Sequence, residues 1–286
     1  MKQGLHTKLT RHADMIVGML GYKVGESKSL KVPGEKFILE ENVQPVSNAE
    51  STQYRAIVAR ANYLAKDRSD IMFAVKELTS HMSQPSVASW SMLKRLGRDL
   101  LGAPRVSLQF QYQRGYKHVD VWTDSDWAGD RLERESTSGG VVCLGDHCIK
   151  MWSSTQKSIA LSSGEAEYYA LVKGGSIGIG ICSMLSDFGV QIDSRMHIST
   201  DSSAAKGICN RRGLGQVRPI DIHMLWLQER VNKGDIIIKK VNGDKNISDA
   251  LTKHVDVGLM QQHLQNTGQY FLSGRHTLMP SVTSHQ

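Results

Sequence analysis

Cysteine is scarce in this chain. Four occur in 286 residues, Cys143, Cys148, Cys182 and Cys209, with no Cys-x-x-Cys pair and no zinc-like histidine spacing. Neither a structural metal nor a disulfide framework is indicated, and a reducing compartment fits best. Long apolar runs are lacking too. The opening MKQGLHTKLTRHADMIVGMLGYKV is interrupted every few residues, which argues against a signal peptide and against a membrane span. The expectation is a soluble protein inside the cell, in cytoplasm or nucleus. A disorder-type composition is absent as well: 40% hydrophobic and 22% charged residues suffice for two compact domains with buried cores. Lys and Arg outnumber Asp and Glu by 35 to 28, a net +7 that favours a polyanionic partner if the excess gathers on one face. A solubilising surface charge would read the same.

The hydrophobic period changes along the chain. Residues 5 to 22 space Leu5, Leu9, Met15, Ile16, Met19 and Leu20 as a short amphipathic helix, and 23 to 50 read as a polar connection. Tyr54, Ile57, Val58, Ala61 and Leu64, then Ile71, Ala74, Val75 and Leu78, then Met92, Leu93, Leu96 and Leu100 predict three further helices. From Val106 the period falls to two. Strands are expected at Val119–Asp124, in a hairpin about Gly145-Asp146, at Met196–Thr200 and at Ile236–Val241. Helices are expected at 163–188, 202–208 and 220–231, and after Ser248. Strands in succession, then alternation with helices, call for a mixed sheet covered by helices.

Four acids stand out in this frame: Asp124, Glu167, Asp201 and Asp249. Asp124 ends a β-branched run, and Asp201 repeats the setting before Ser202-Ser203. Neighbouring parallel strands finishing this way would bring both carboxylates to one rim, where they repel unless a cation bridges them. Magnesium suits such a place because it takes oxygen ligands and keeps waters that a substrate phosphate displaces. Either acid would serve equally as a helix cap. Ser162-Ser163-Gly164-Glu165 has capping-box spacing, which gives Glu165 a structural task and leaves Glu167 to face the sheet. Asp249 reads either as the acid of a last helix's first turn or as the fourth member of a set holding two ions about 3.5–4 Å apart.

Asp124-Ser-Asp-Trp-Ala-Gly-Asp130, Ser136-Thr-Ser-Gly-Gly140, Trp152-Ser-Ser, Ala160-Leu-Ser-Ser-Gly-Glu-Ala-Glu-Tyr168, Thr200-Asp-Ser202, Ile220-Asp-Ile-His223, Glu229-Arg-Val and Ser248-Asp-Ala-Leu-Thr-Lys253 resemble, in order and spacing, the ribonuclease H domain of copia-type retrotransposon polyproteins. Upstream, Tyr54-Arg-Ala-Ile-Val, Arg68-Ser-Asp-Ile-Met-Phe-Ala-Val75, His81-Met-Ser-Gln-Pro85 and Trp90 with Leu93-Lys-Arg-Leu are similar to the segment after the polymerase palm in the same polyproteins. The resemblance implies a ribonuclease H-like mixed five-stranded sheet flanked by helices over 119–254. Before it comes a mostly helical remnant of the reverse transcriptase thumb and connection over 1–118, and after it a flexible tail over 255–286. It also implies cleavage of the RNA strand of an RNA/DNA hybrid. Asp124, Glu167, Asp201 and Asp249 are then the catalytic and metal-binding carboxylates, holding two Mg²⁺ ions with Mn²⁺ as a substitute.

Partners implied are the hybrid and the upstream reverse transcriptase domain, with no membrane. No Tyr-x-Asp-Asp tetrad occurs, so this chain alone should not polymerise DNA. Lys94, Arg95 and Arg98 suit phosphate contact or an ordinary exposed helix face. His223 and Trp226 are expected to be core or surface residues, with contact to the hybrid the alternative for His223 or for Arg211 and Arg212. Gly174, Gly175, Gly178 and Gly180 are expected to kink or loosen their helix, at about 1 kcal/mol each against alanine. The loop 241–248 has no histidine, which cellular ribonucleases H often carry there. The alternative function is a degenerate remnant that binds nucleic acid without cutting it; a resolvase or exonuclease on the same architecture is a third reading.

Overall fold

A computed structural model describes residues 10–36, 44–115, 118–130, 133–190, 195–213 and 224–272. The chain divides into two compact units, one formed by 1–109 with 269–286 and the other by 110–268.

Among its described residues the first unit holds four helices, α1 (Thr10–Met19), α2 (Asn48–Ala65), α3 (Ser69–Ser80) and α4 (Val87–Gly102). Their apolar stripes meet in one core that includes Tyr54, Ile57, Leu64, Ile71, Leu78, Leu93 and Leu96. Local sequence sets the helix starts. Ser47 caps α2 in a reciprocal box with Glu50, and Ser86 does the same for α4 with Ser89. Buried Arg68 forks onto Asp70 at 2.8 and 2.7 Å, the bidentate geometry that makes a buried pair tolerable. Asp99, also buried, is pushed up to about 8 by burial and then by the neighbouring Asp70 charge, against the pull of Arg68 and Arg95. On α4, Arg95 pairs with Glu35 at 2.8 Å and Arg98 donates to the Lys28 carbonyl at 2.9 Å, so both spend donors within the unit.

Strand β1 (Val106–Leu108) pairs antiparallel with β7 (Gln269–Phe271), and Ser69 donates to Gln269 at 2.9 Å. The expected flexible tail is therefore corrected as far as residue 272. Val257–Asn266 forms a helix, here α8, capped by Asp256 and anchored through Met260 and Leu264, and the chain then adds β7. That spacing of four puts both apolar side chains on one helix face. Residues 273–286 lie outside the described ones.

The second unit carries a five-stranded sheet made of β2 (Val119–Asp126), β3 (Thr137–Leu144), β4 (His147–Thr155), β5 (Met196–Thr200) and β6 (Ile236–Lys240). Their order is β4-β3-β2-β5-β6: the first three are antiparallel, and β5 and β6 run parallel to β2. This is the mixed sheet that the resemblance implies. Helices α5 (Ser163–Asp187), α6 (Ser203–Cys209) and α7 (Trp226–Lys233) cover it. By length and composition α5 could cross a membrane, but its Tyr168, Leu171 and Val172 belong to the core it shares with Val119, Val121, Ile198 and Ile238. The start expected for α7 at 220 lies outside the described residues, as do Asp221 and His223.

The glycine run does not break α5, which is continuous through all four positions. Instead the glycines let the helix lie close on the sheet. A Cβ on Gly178 would stand 2.1 Å from Met196 Sδ and 2.9 Å from Val121 Cγ2, and one on Gly174 would stand 2.5 Å from Thr123 Cγ2. Gly180 faces open space. Two opposite outcomes are therefore expected from one kind of substitution. Gly178→Ala should cost about 1–3 kcal/mol by overpacking, whereas Gly180→Ala should gain about 0.5–1 kcal/mol of helix propensity. Urea midpoints of the two variants should bracket the parent.

Candidate active site

The rim of the sheet gathers three of the four sequence-selected acids. Asp124 lies inside β2, opposite Gly139 of β3, two residues before the strand ends. Asp201 directly follows β5, the parallel neighbour of β2. Glu167 comes from the first turns of α5, where the backbone N–H of Ser125 donates to its Oε1 at 3.2 Å. One carboxylate oxygen from each of Asp124, Glu167 and Asp201 falls within 4.8 Å of the others. Neither aspartate is a cap: Asp124 is in a strand, and α6 is capped by the Ser202 side chain. Glu165 does have a structural task, and half of the expected box is present, its N–H donating to Ser162 Oγ at 3.2 Å. Its Oε2 accepts from Leu161 N–H at 3.0 Å and its Oε1 from Tyr169 OH at 2.6 Å, so it braces the helix start one residue earlier than a capping box would.

Asp249 stands apart from the trio. It begins a 3-10 turn, Asp249–Leu251, and not the last helix, which corrects that expectation. Its Oδ1 pairs with Lys253 Nζ at 2.5 Å. Its charge still acts on Asp124, and it lines with Asp201 a cleft of about 270 Å³ that Lys253 and Asn246 also border. Buried Asn246 fixes this loop by donating to the Thr123 carbonyl at 3.0 Å, and Ser248 donates to Asn246 Oδ1 at 2.6 Å. Gly139 makes room, since a Cβ there would sit 2.7 Å from Thr252 Cγ2 and 2.8 Å from Leu251 Cβ. The turn can then deliver Thr252, whose hydroxyl donates to Asp124 Oδ2. Thr252 and Lys253 were not singled out by sequence. Their signal is present in Ser248-Asp-Ala-Leu-Thr-Lys253, where the acid stands three and four residues before them.

The electrostatics explain what the rim asks for. Burial, and then repulsion from Asp249 and Asp201 against the Thr252 hydrogen bond, push the Asp124 carboxyl up to about 7. Burial, then the Asp124 and Asp201 charges, push Glu167 up to about 8. Glu167 Oε2 is buried without a hydrogen-bond partner among the described residues. Crowded, desolvated carboxylates with an orphaned oxygen are compatible with a hard divalent cation, which takes oxygen ligands and removes the repulsion.

The Pol polyprotein of transposon RE2 from Arabidopsis thaliana is 33% identical over 205 residues, 71% of this chain. That of transposon RE1, from the same plant, is 31% identical over 220 residues, 77% of the chain. This chain belongs with the Pol polyproteins of copia-type retrotransposons. It spans 14% and 15% of the length of those two relatives. No protein-family model matches it. Among solved structures, the N-terminal RNase H domain of a Mycobacterium tuberculosis protein is 18% identical, covering 52% of this chain and 97% of that one with a TM-score of 0.33. The order and direction of the five strands carry the ribonuclease H-like fold of the Pol segment directly.

Proposed function

We propose that this Pol segment is a ribonuclease H-type hydrolase that cuts the RNA strand of an RNA/DNA hybrid with divalent ions held at the acidic rim. One observation carries the reading: Asp124, Glu167 and Asp201, from a strand, a helix and the end of the neighbouring strand, each bring a carboxylate oxygen within 4.8 Å of the others, and Glu167 adds a buried oxygen with no hydrogen-bond partner among the described residues. Mg²⁺ is the ion of choice for an all-oxygen set, with Mn²⁺ able to replace it. Bound there, a pair of ions would supply positive charge to both the attacking and the departing oxygen of a phosphodiester. Asp124, Glu167 and Asp201 hold the charge. Thr252 orients Asp124, and Ser125 orients Glu167 through its backbone. Asp249 joins the set once its side chain exchanges Lys253 for a cation. Choice of the RNA strand would come from 2′-hydroxyl contacts and groove shape.

The Asp249–Lys253 pair also favours a second reading, a remnant that grips hybrid without cutting, because an acid already neutralised by lysine is a poorer ligand. End-labelled hybrid incubated with the chain and Mg²⁺ separates the two. RNA-strand products support the hydrolase, while salt-sensitive binding without products supports the remnant.

A further inference from the structure

A second group of ligand-type side chains lies on the same sheet, far from the acidic rim. His118 immediately precedes β2, Asp120 is the second residue of that strand, and His197 of β5 is the cross-strand partner of Asp120. His118 Nε2 stands 3.2 Å from Asp120 Oδ2, and His197 Nδ1 stands 3.3 Å from Asp120 Oδ1. The two imidazole rings lie 3.8 Å apart between centres, and one ligand atom from each of the three residues falls within 4.8 Å of the others. Asp120 precedes Asp124 by four residues, about 13 Å along the strand.

Hydrogen bonding alone does not satisfy this group. Lys239 Nζ, from β6, approaches His197 Nδ1 at 2.8 Å. An ammonium only donates, so Nδ1 must present its lone pair to Lys239, and then the same nitrogen has no proton for Asp120. Placing the proton on Nδ1 mends the contact with Asp120 and sets two donors against each other at Lys239. Either way one contact joins like partners. A cation coordinated by both Nδ1 and the carboxylate removes the conflict. A tetrahedral ion with bonds of about 2.0–2.1 Å separates its ligand atoms by about 3.3 Å. Each imidazole nitrogen already stands at that spacing from its own Asp120 oxygen, His118 from Oδ2 and His197 from Oδ1, so a single ion would take the carboxylate through both oxygens or after a small turn of it.

We propose that His118, Asp120 and His197 form a site for a borderline-soft divalent ion, Zn²⁺ foremost, with Lys239 as the group the ion displaces and one position left to solvent. Two imidazoles and one carboxylate select Zn²⁺ over Mg²⁺, so the site is chemically distinct from the acidic rim. Coordination would tie the beginnings of β2 and β5 together.

The test uses the whole chain, stripped of metal and held in excess Mg²⁺ to occupy the rim, titrated with Zn²⁺ against a chromogenic chelator. One equivalent is expected to bind. His118→Gln and His197→Gln should each weaken it by at least about a hundredfold. Lys239→Met, which removes the competitor, should tighten it. Circular dichroism checks that each variant is folded, and His118, half-exposed ahead of the strand, is the substitution least able to disturb folding. Zn²⁺ affinity that is unchanged in both histidine variants, or that weakens in Lys239→Met, overturns the proposal. The outcome does not depend on whether the rim cuts hybrid.

Discussion

Replacing Asp124 with Asn should lower Mg²⁺-dependent cutting of the RNA strand by at least about a thousandfold, because a charge ligand at the centre of the rim is lost where transition-state charge must be balanced. The same substitution should raise, and not lower, the melting temperature of the metal-free protein. Asp124 is buried beside Glu167 and Asp201 and feels the Asp249 charge, and the neutral amide keeps its shape while removing a charge that its surroundings disfavour. Activity and stability moving in opposite directions is the mark of a functional carboxylate, since a structural one would lose both. Thr252→Val provides the contrast. It leaves the charge and removes the hydroxyl that orients it, so about a tenfold loss is expected, with Mg²⁺ still required. Initial rates on labelled hybrid, with thermal melts of the same preparations, decide the matter. An Asp124→Asn protein that still cuts at a tenth of the parent rate would remove this residue from the reaction.

What the sequence made legible follows from how far each signal reaches. Period two over Val119–Asp124 and again over Met196–Thr200 identified two strands, and an acid at a corresponding place on each was enough to pair them on one rim. Glu167 was separable from Glu165 because helix faces are local. Asp249 was less legible. Its position in the text was right, but the 3-10 turn and the pairing with Lys253 depend on Asn246 bonding to the Thr123 carbonyl, 123 residues away. The glycines of α5 mislead for a related reason. Propensity counts what a helix loses in isolation, whereas Gly174 and Gly178 are set by Thr123, Val121 and Met196 pressing from the sheet. Likewise the segment after 255 reads as a polar tail, because only two of its apolar residues, Met260 and Leu264, share the buried helix face. The His118–Asp120–His197 group needed the register of two strands before it existed as a group at all.

The stability of the metal-free second unit should fall by roughly 2–4 kcal/mol between pH 5 and pH 8.5, and Mg²⁺ should restore most of it at the alkaline end. Asp124 and Glu167 hold their protons more tightly folded than unfolded, with carboxyls raised to about 7 and about 8. The folded chain therefore binds more protons than the unfolded one between about pH 4 and pH 8. Their contribution is complete below the unfolded carboxylate range near pH 4 and is lost as pH rises through about 7 and then about 8. Each charge raises the other's affinity for a proton, so the two losses do not simply add. Mg²⁺ competes with protons for the same oxygens and should stabilise strongly at pH 8.5 and hardly at pH 5. Tryptophan fluorescence is suited to the measurement, because Trp122, Trp127, Trp152 and Trp226 lie in the second unit and only Trp90 in the first, where Asp99 titrates in an overlapping range. The double variant Asp124→Asn, Glu167→Gln should flatten the pH slope and abolish the Mg²⁺ effect together. A slope that survives in the double variant would assign the pH dependence to other groups, and Mg²⁺ stabilisation that survives would place the ion away from this rim.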